Sequence, residues 1–277
     1  MIKISNEDNQ YNFESLSQQE KENLFESMLE NIGTTDGYLR DNIYLMRLVE
    51  MLESEPFTNE KLIAYTEICL EQIKYGLGEI NSDSVFKRSF SALVLYFLVA
   101  INLQRNFLSN DLKQQIIHES IYLFKNELDI RGYVEGKGWA HSIAHYSDLI
   151  AGIVTSDFYD SKYNEEILDV LNINLQKLNV DKSCYIDDEE ERMLFIVFAM
   201  LDQQRISEEA YINWLNDSNK TMLNQTSKNL EGFRIRTNYK HFYQSMYFRA
   251  KGMGKYKKLV KQLEVIINDL FVEMFVK

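Results

Sequence analysis

The chain has very little proline and cysteine. Its 277 residues contain one proline, Pro56, which leaves no room for a proline-rich linker or for a turn-dense β-sandwich. The two cysteines, Cys69 and Cys184, lie far apart and show no pairing pattern, so we expect a reduced protein of the cytoplasm. A mostly helical chain fits these absences.

Long apolar runs are also missing. The longest, Ala92 to Ile101, is about half of what a bilayer-spanning helix needs. The first residues, MIKISNEDNQ, lack the apolar core of a signal peptide. A net charge of −12 repels a phosphate backbone on average, and a lysine cluster near the C-terminus is interpreted as a solvated helix face. We therefore expect a soluble protein that binds neither nucleic acid nor membrane.

Apolar residues recur at helical spacing along almost the whole chain. Ser17 and Glu20 match a capping box, and the helix they introduce carries an apolar stripe. No segment shows convincing period-two alternation, so the fold class is predicted as all-α. Further helices are predicted at about 39–53, 58–75, 84–103, 109–127, 139–155, 163–179, 187–202, 207–224, 236–250 and 255–275.

The predicted helices pair, and the pairs recur. The apolar centres of the leading helices fall near residues 45, 94, 144, 196 and 244, which is a period of about 50 residues. This spacing predicts a right-handed α-α superhelix of about five helical hairpins, of the HEAT or armadillo kind, forming a single domain over 1–277. An α/α toroid is the alternative architecture, although five pairs are few for a closed ring of six.

Two leading helices begin with charged residues. Lys87 and Arg88 open one of them, and residues 187–192 open another. In stacked hairpins such starts can converge on one rim or groove. Helix capping and dipole compensation is the alternative explanation, which suits the acidic start better than the basic one.

One segment, RGYVEGKGWAHSIAH at 131–145, differs from the rest of the chain. It holds three of the eleven glycines, one of the two tryptophans and two of the four histidines. Its glycines predict a tight loop, and Trp139 is predicted to begin the next helix. On that helix His141, His145 and Asp148 would share one stripe, and Gly152 would leave space beyond them.

Several kinds of chemistry fit this stripe. His141, His145 and Asp148 can bind a transition metal such as zinc, or His145 paired with Asp148 can act as a general base. Alternatively, Glu135, Lys137 and the histidines can hold a polar ligand stacked on Trp139. The histidines can also simply hydrogen-bond neighbouring helices. The chain lacks a Walker loop, a dinucleotide fingerprint, a G-x-S-x-G elbow and the glutamate of a zinc-protease helix.

The runs RGYVEGKGWAHSIAHYSDLI, FKRSFSALVL and DDEEERM together resemble a family of uncharacterised bacterial proteins, a domain of unknown function found in low-GC Gram-positive bacteria among others. The resemblance implies an all-helical, superhelical protein of the bacterial cytoplasm and no established activity. The positions that match the family's runs are candidate site residues: Arg88, Ser89, Arg131, Gly132, Tyr133, Glu135, Lys137, Gly138, Trp139, His141, His145, Asp148, Glu190 and Arg192.

Two functions follow as hypotheses. The first is a binding or scaffold module whose groove around 131–148 takes a small polar or anionic ligand or a protein partner. The second is a hydrolase, in one version metal-dependent, with His145 as base or metal ligand and Arg88 or Lys137 holding an anionic group. Apart from the possible metal, no cofactor is predicted, and the oligomeric state is left open.

Overall fold

The structure, a computed structural model, describes residues 15–225 and 229–275. Over these residues the chain forms eleven α-helices and one short β-hairpin, so the all-α prediction is confirmed. The helices are α1 Gln18–Glu30, α2 Met46–Ser54, α3 Asn59–Gln72, α4 Ser84–Arg105, α5 Asn110–Asn126, α6 Ser142–Thr155, α7 Asn164–Leu175, α8 Glu189–Asp202, α9 Glu208–Gln225, α10 Leu230–Met253 and α11 Lys257–Phe275. A π-helical segment, Leu39–Leu45, precedes α2, and β1 Tyr133–Val134 pairs with β2 Gly138–Trp139.

Side-chain caps explain where several helices begin. Ser17 forms the predicted capping box with Glu20, because the Ser17 amide donates to the Glu20 carboxylate at 2.8 Å and the Ser17 hydroxyl accepts from the Glu20 amide. Ser109 caps α5 by accepting from the amide of Leu112. These caps satisfy amides that the first helical turn leaves without partners.

The even-numbered helices lie side by side in chain order. α2 packs on α4, α4 on α6, α6 on α8 and α8 on α10, and these five are the predicted leading helices. Of the others, α5 packs on α7 and α9 on α11. One contiguous cluster of buried apolar side chains runs from Leu24 to Leu270. The right-handed superhelix and the single-domain boundary stay predictions.

Helix α4 is long and strongly apolar. By length and composition it is the one described helix that could cross a membrane, but 67% of its apolar window is buried inside the protein. Burial of that kind is typical of a core helix, since α4 lies between α2 and α6. The fold is therefore consistent with a soluble protein.

The segment 131–145 is where the sequence-based prediction was wrong. Tyr133 lies opposite Trp139 in an antiparallel hairpin, and Gly136 and Gly138 adopt φ of +72° and +79°, which only glycine adopts readily. Each strand is only two residues long, so no period-two pattern could reveal it. Trp139 therefore belongs to a strand and does not begin a helix.

Helix α6 begins three residues later than predicted, at Ser142. The amides of Ala140 and His141 donate back to the carbonyls of Gly132 and Arg131, at 2.8 and 3.1 Å, and His141 turns the chain with φ of +46°. His145 and Asp148 are on α6, but His141 is its N-cap, so the predicted three-residue helical stripe does not form. The space expected beside Gly152 is filled by the Tyr96 ring, which a Cβ at Gly152 would meet at 2.6 Å.

Candidate functional site

The hairpin is held in place by Arg40, a residue that sequence reasoning missed. The Arg40 side chain is fully buried in the π-helical segment and donates to the carbonyls of Lys137 and Trp139 at 2.9 and 3.1 Å. It also lies over the Phe86 ring, 4.3 Å from the centroid. The N-terminal part of the chain thus fixes β2 from one side, through contacts almost 100 residues apart in sequence.

The start of α8 fixes the opposite edge of the hairpin. The Tyr133 amide donates to Asp187 Oδ2 at 2.9 Å. Gly132 is required at this edge, because a Cβ there would lie 2.2 Å from Asp187 Oδ2 and 2.4 Å from Glu189 Oε1. The acidic start of α8 therefore lies directly against the hairpin.

Two aromatic rings of the hairpin face solvent. Tyr133 and Trp139 are 52% and 40% exposed, and their ring centroids lie 5.1 Å apart in an edge-to-face arrangement. With Tyr38, which is 51% exposed, they line a cavity of about 660 Å³ that also contacts Asp36 and Asp41. We call this cavity the aromatic cleft. Such exposure of Trp139 favours a role in ligand binding over one in packing.

His141 lies directly behind the aromatic cleft. Its ring stacks on that of Trp139 with centroids 4.3 Å apart, and its Nε2 is buried without a hydrogen-bond partner. The Oε1 atom of Glu189 lies 3.9 Å from His141 Nε2. Burial lowers the pKa of His141 and raises the pKa of Glu189 to about 7. Both shifts favour the neutral form of the side chain, and at 3.9 Å the two groups lie beyond hydrogen-bonding distance.

His145 is buried one helical turn further on. The Ser89 hydroxyl donates to the Ala140 carbonyl and lies 2.8 Å from His145 Nδ1. Because that hydroxyl has one proton and has donated it, Nδ1 must carry the imidazole proton, and Nε2 keeps the lone pair. Burial, followed by the nearby charge of His141, holds the pKa of His145 well below its usual value, so the ring is neutral.

The candidate cations are each paired with a carboxylate. Arg88 is fully buried with Glu127, and its predicted place on an exposed groove is wrong for that reason. Glu135, at the exposed tip of the hairpin, makes no hydrogen bond or ion pair with another described residue. The four ion pairs are Arg88–Glu127, Arg131–Asp129, Lys137–Asp83 and Arg192–Asp148.

The remaining predicted residues bear on the metal and base hypotheses. The Asp148 carboxylate is bound by the Arg192 guanidinium, which competes for the oxygens that would otherwise bind a metal or orient His145. Among the described residues, no group of three or more His, Cys, Asp or Glu side chains is arranged to hold a metal ion. The metal site stays a prediction.

Glu190 forms a second carboxylate–imidazole pair beside the first. Its Oε1 lies 3.5 Å from Nδ1 of His241, a residue of α10. Burial raises the pKa of Glu190 to about 7. Two of the four histidines, His141 and His241, thus lie against carboxylates of the first turn of α8, and only the tertiary contacts of α8 with α6 and α10 reveal it.

A family profile described as a protein of unknown function, DUF2785, matches residues 73–248. The chain belongs to the DUF2785 family. The matched range contains the hairpin, α4, α6 and α8, but not Arg40, which fixes β2 from outside it. No curated protein and no solved structure matches the chain. Membership in DUF2785 agrees with the resemblance seen in the sequence and carries no assigned activity.

Proposed function

We infer that this DUF2785 protein binds a small polar ligand, and that the ligand places an amine or guanidinium cation in the aromatic cleft. The observation that carries this proposal is the presence of three exposed aromatic rings, Tyr38, Tyr133 and Trp139, around one cavity. The faces of such rings attract cations through their quadrupole, and exposed rings are costly to keep unless they bind something.

The charges around the cleft favour a cation over an anion. Asp36 and Asp41 line it, with Asp41 ion-paired to Arg40, and the one lysine of the lining, Lys137, is ion-paired with Asp83. Arg88, which with Lys137 was predicted to hold an anionic group, is also ion-paired, and so is Arg192. An anionic ligand would have to displace a carboxylate, whereas a cation would add to an acidic surface of a chain with net charge −12.

Trp139 provides the assay. Trp214, the other tryptophan, is changed to phenylalanine so that the emission reports on Trp139, and the protein is titrated with tetramethylammonium, arginine amide and inorganic phosphate. We expect saturable changes with the two cations, and a loss of about tenfold in affinity when Tyr38 becomes alanine. Saturation by phosphate alone, or by none of the three probes, would refute the proposal.

A second candidate function, acid–base hydrolysis, is supported by the His141–Glu189 pair. Glu189 lines another cavity, of about 430 Å³, on the side of the hairpin that faces Asp187. A carboxyl whose pKa is about 7 can donate a proton to a leaving group, and the neutral His141 imidazole lies 3.9 Å from that carboxyl without lining the cavity. Glu189→Gln and His141→Ala would then each abolish turnover of whichever ester, amide or phosphoester is cleaved.

The metal-dependent version of this hydrolase has its own test. Protein purified without chelator should hold near-stoichiometric zinc, and His141→Ala should lose it. If the purified protein contains no metal and its melting temperature does not change when zinc is added, the metal-dependent hypothesis is refuted. In either function we propose that the protein acts in the bacterial cytoplasm as a helical-repeat protein.

A further inference from the structure

The last two helices form an apolar groove far in sequence from the hairpin. Its walls are residues of α10, among them Tyr247 and Phe248, and residues of α11, among them Ile267 and Phe271, and its volume is about 400 Å³. Phe248 and Phe271 are 69% and 59% exposed. Exposed rings on both walls of a groove are typical of a surface that takes an apolar ridge from another molecule.

Five lysines cluster near the turn from α10 to α11, at one end of this groove, and one of them, Lys255, is ion-paired with Asp202. The groove itself is also lined by Glu264, which accepts from the Tyr247 hydroxyl. Residues 250–263 contain no Asp or Glu, although the whole chain carries a net charge of −12. Lys251 contacts a wall of the groove, because its Nζ donates to the hydroxyl of Tyr247 at 2.8 Å and lies 5.0 Å from the centroid of that ring. The five are Lys251, Lys255, Lys257, Lys258 and Lys261.

Helix stability does not explain three of these lysines. Lys257, Lys258 and Lys261 are exposed, and none of them forms an ion pair with another described residue. The first turn of α11 contains no acidic residue to oppose them. Cations at a helix N-terminus and like charges four residues apart both destabilise a helix, so these side chains oppose the folding of α11.

We propose that the groove between α10 and α11 binds an acidic amphipathic helix of another protein, with its apolar ridge between Phe248 and Phe271 and its carboxylates on the lysines. Charge complementarity selects this occupant. A second copy of the chain would carry the same large negative net charge, and the two copies would repel each other. A short partner helix needs carboxylates only on the side that meets the lysines. From Lys257 to Phe271, α11 spans about 22 Å, so a partner helix of about 15 to 18 residues would reach both the lysines and the groove.

The test uses two fluorescein-labelled peptides of about 18 residues that share the same leucine positions at helical spacing. One carries glutamate at the other positions and the second carries lysine. Fluorescence anisotropy against the full-length protein should show the acidic peptide binding at least about tenfold more tightly, and binding should weaken as salt rises. Equal binding of both peptides, or no binding of the acidic one, would overturn the proposal.

Matched variants locate the site. Phe248→Ala and the triple change of Lys257, Lys258 and Lys261 to Glu should each weaken the acidic peptide by about tenfold or more. Phe233→Ala and Lys220→Glu, which alter exposed residues outside the groove walls, should leave binding unchanged. Circular dichroism confirms that each variant is folded.

Two other occupants give distinct outcomes, and either would overturn the proposal. If the groove instead joins two copies of the chain, sedimentation would show a concentration-dependent dimer that Phe248→Ala abolishes. Flotation with vesicles of phosphatidylserine and phosphatidylcholine would show binding lost in the lysine variant, if the groove faces an anionic membrane.

Discussion

Replacing Glu190 by glutamine should stabilise the protein above neutral pH. Glu190 lies in the first turn of α8, is 4% exposed, and its Oε2 has no hydrogen-bond partner. Burial raises its pKa from 4.5 to about 7, which means that ionising this carboxyl in the folded protein is unfavourable. Glutamine keeps the shape of the side chain and removes the charge.

The size of the effect follows from the pKa difference. A rise from 4.5 to about 7 is about 2.5 pH units, and each unit corresponds to about 1.4 kcal/mol. Because the folded state holds a proton that the unfolded chain releases, this contribution to stability is complete below pH 4.5 and is lost as the pH rises through about 7. The variant should therefore gain about 2 to 3 kcal/mol over the wild type between about pH 5 and pH 8.

The assay is urea unfolding followed by circular dichroism at a series of pH values. Taking the difference between variant and wild type removes the contribution of the buried histidines, which has the opposite sign. The pKa values of His141 and His145 are lowered by burial, so their contribution is lost as the pH falls below their ordinary value of 6.5.

Glu191, the next residue, is the matched control. Hydrogen bonds from Arg249, and less strongly from Ser245, lower the pKa of Glu191, so Glu191→Gln should bring no gain at high pH. A difference between Glu190→Gln and wild type that does not change with pH, or that is negative at pH 8, would refute the assignment of an unfavourable buried carboxyl.

Three further predictions concern packing. Glu127→Gln leaves the buried Arg88 without a counter-charge and should cost about 3 to 5 kcal/mol in urea unfolding, whereas an unchanged midpoint would contradict the buried pair. Gly152→Ala places a methyl 2.6 Å from the Tyr96 ring and should cost about 1 to 3 kcal/mol by the same measurement; a neutral result would mean that the ring moves freely. Trp139→Ala should cost well under the roughly 3 kcal/mol of a buried tryptophan while abolishing the calorimetric binding of tetramethylammonium, and a large loss of stability would assign Trp139 to packing.

Local sequence rules worked where the structure depends on nearby residues. Ser17 with Glu20, and Ser109 before Asn110, set helix starts that the structure confirms. They succeed because a cap satisfies amides only three residues away. The same rules failed at Trp139. There the amides of Ala140 and His141 donate to the carbonyls of residues just before β1 and do not form a helical turn.

The candidate site could be located from the sequence, but its chemistry could not. The glycine, tryptophan and histidine signature marked the hairpin, and residues 187–192 were recognised as a charged helix start. The partners were not foreseeable: Arg40 reaches Trp139 across almost 100 residues, and Glu127 neutralises Arg88 across 39. Residue types alone do not say which carboxylate a cation meets.

By itself the sequence determined the all-helical class, the order of the leading helices and the position of an unusual segment, because apolar spacing and capping are local properties of the chain. The tertiary structure alone decided which polar groups are exposed, paired or buried. That difference arises because the degree of burial depends on the packing of α6, α8 and α10 against one another. This packing raises the pKa of Glu189 and Glu190 to about 7 and leaves Trp139 partly exposed.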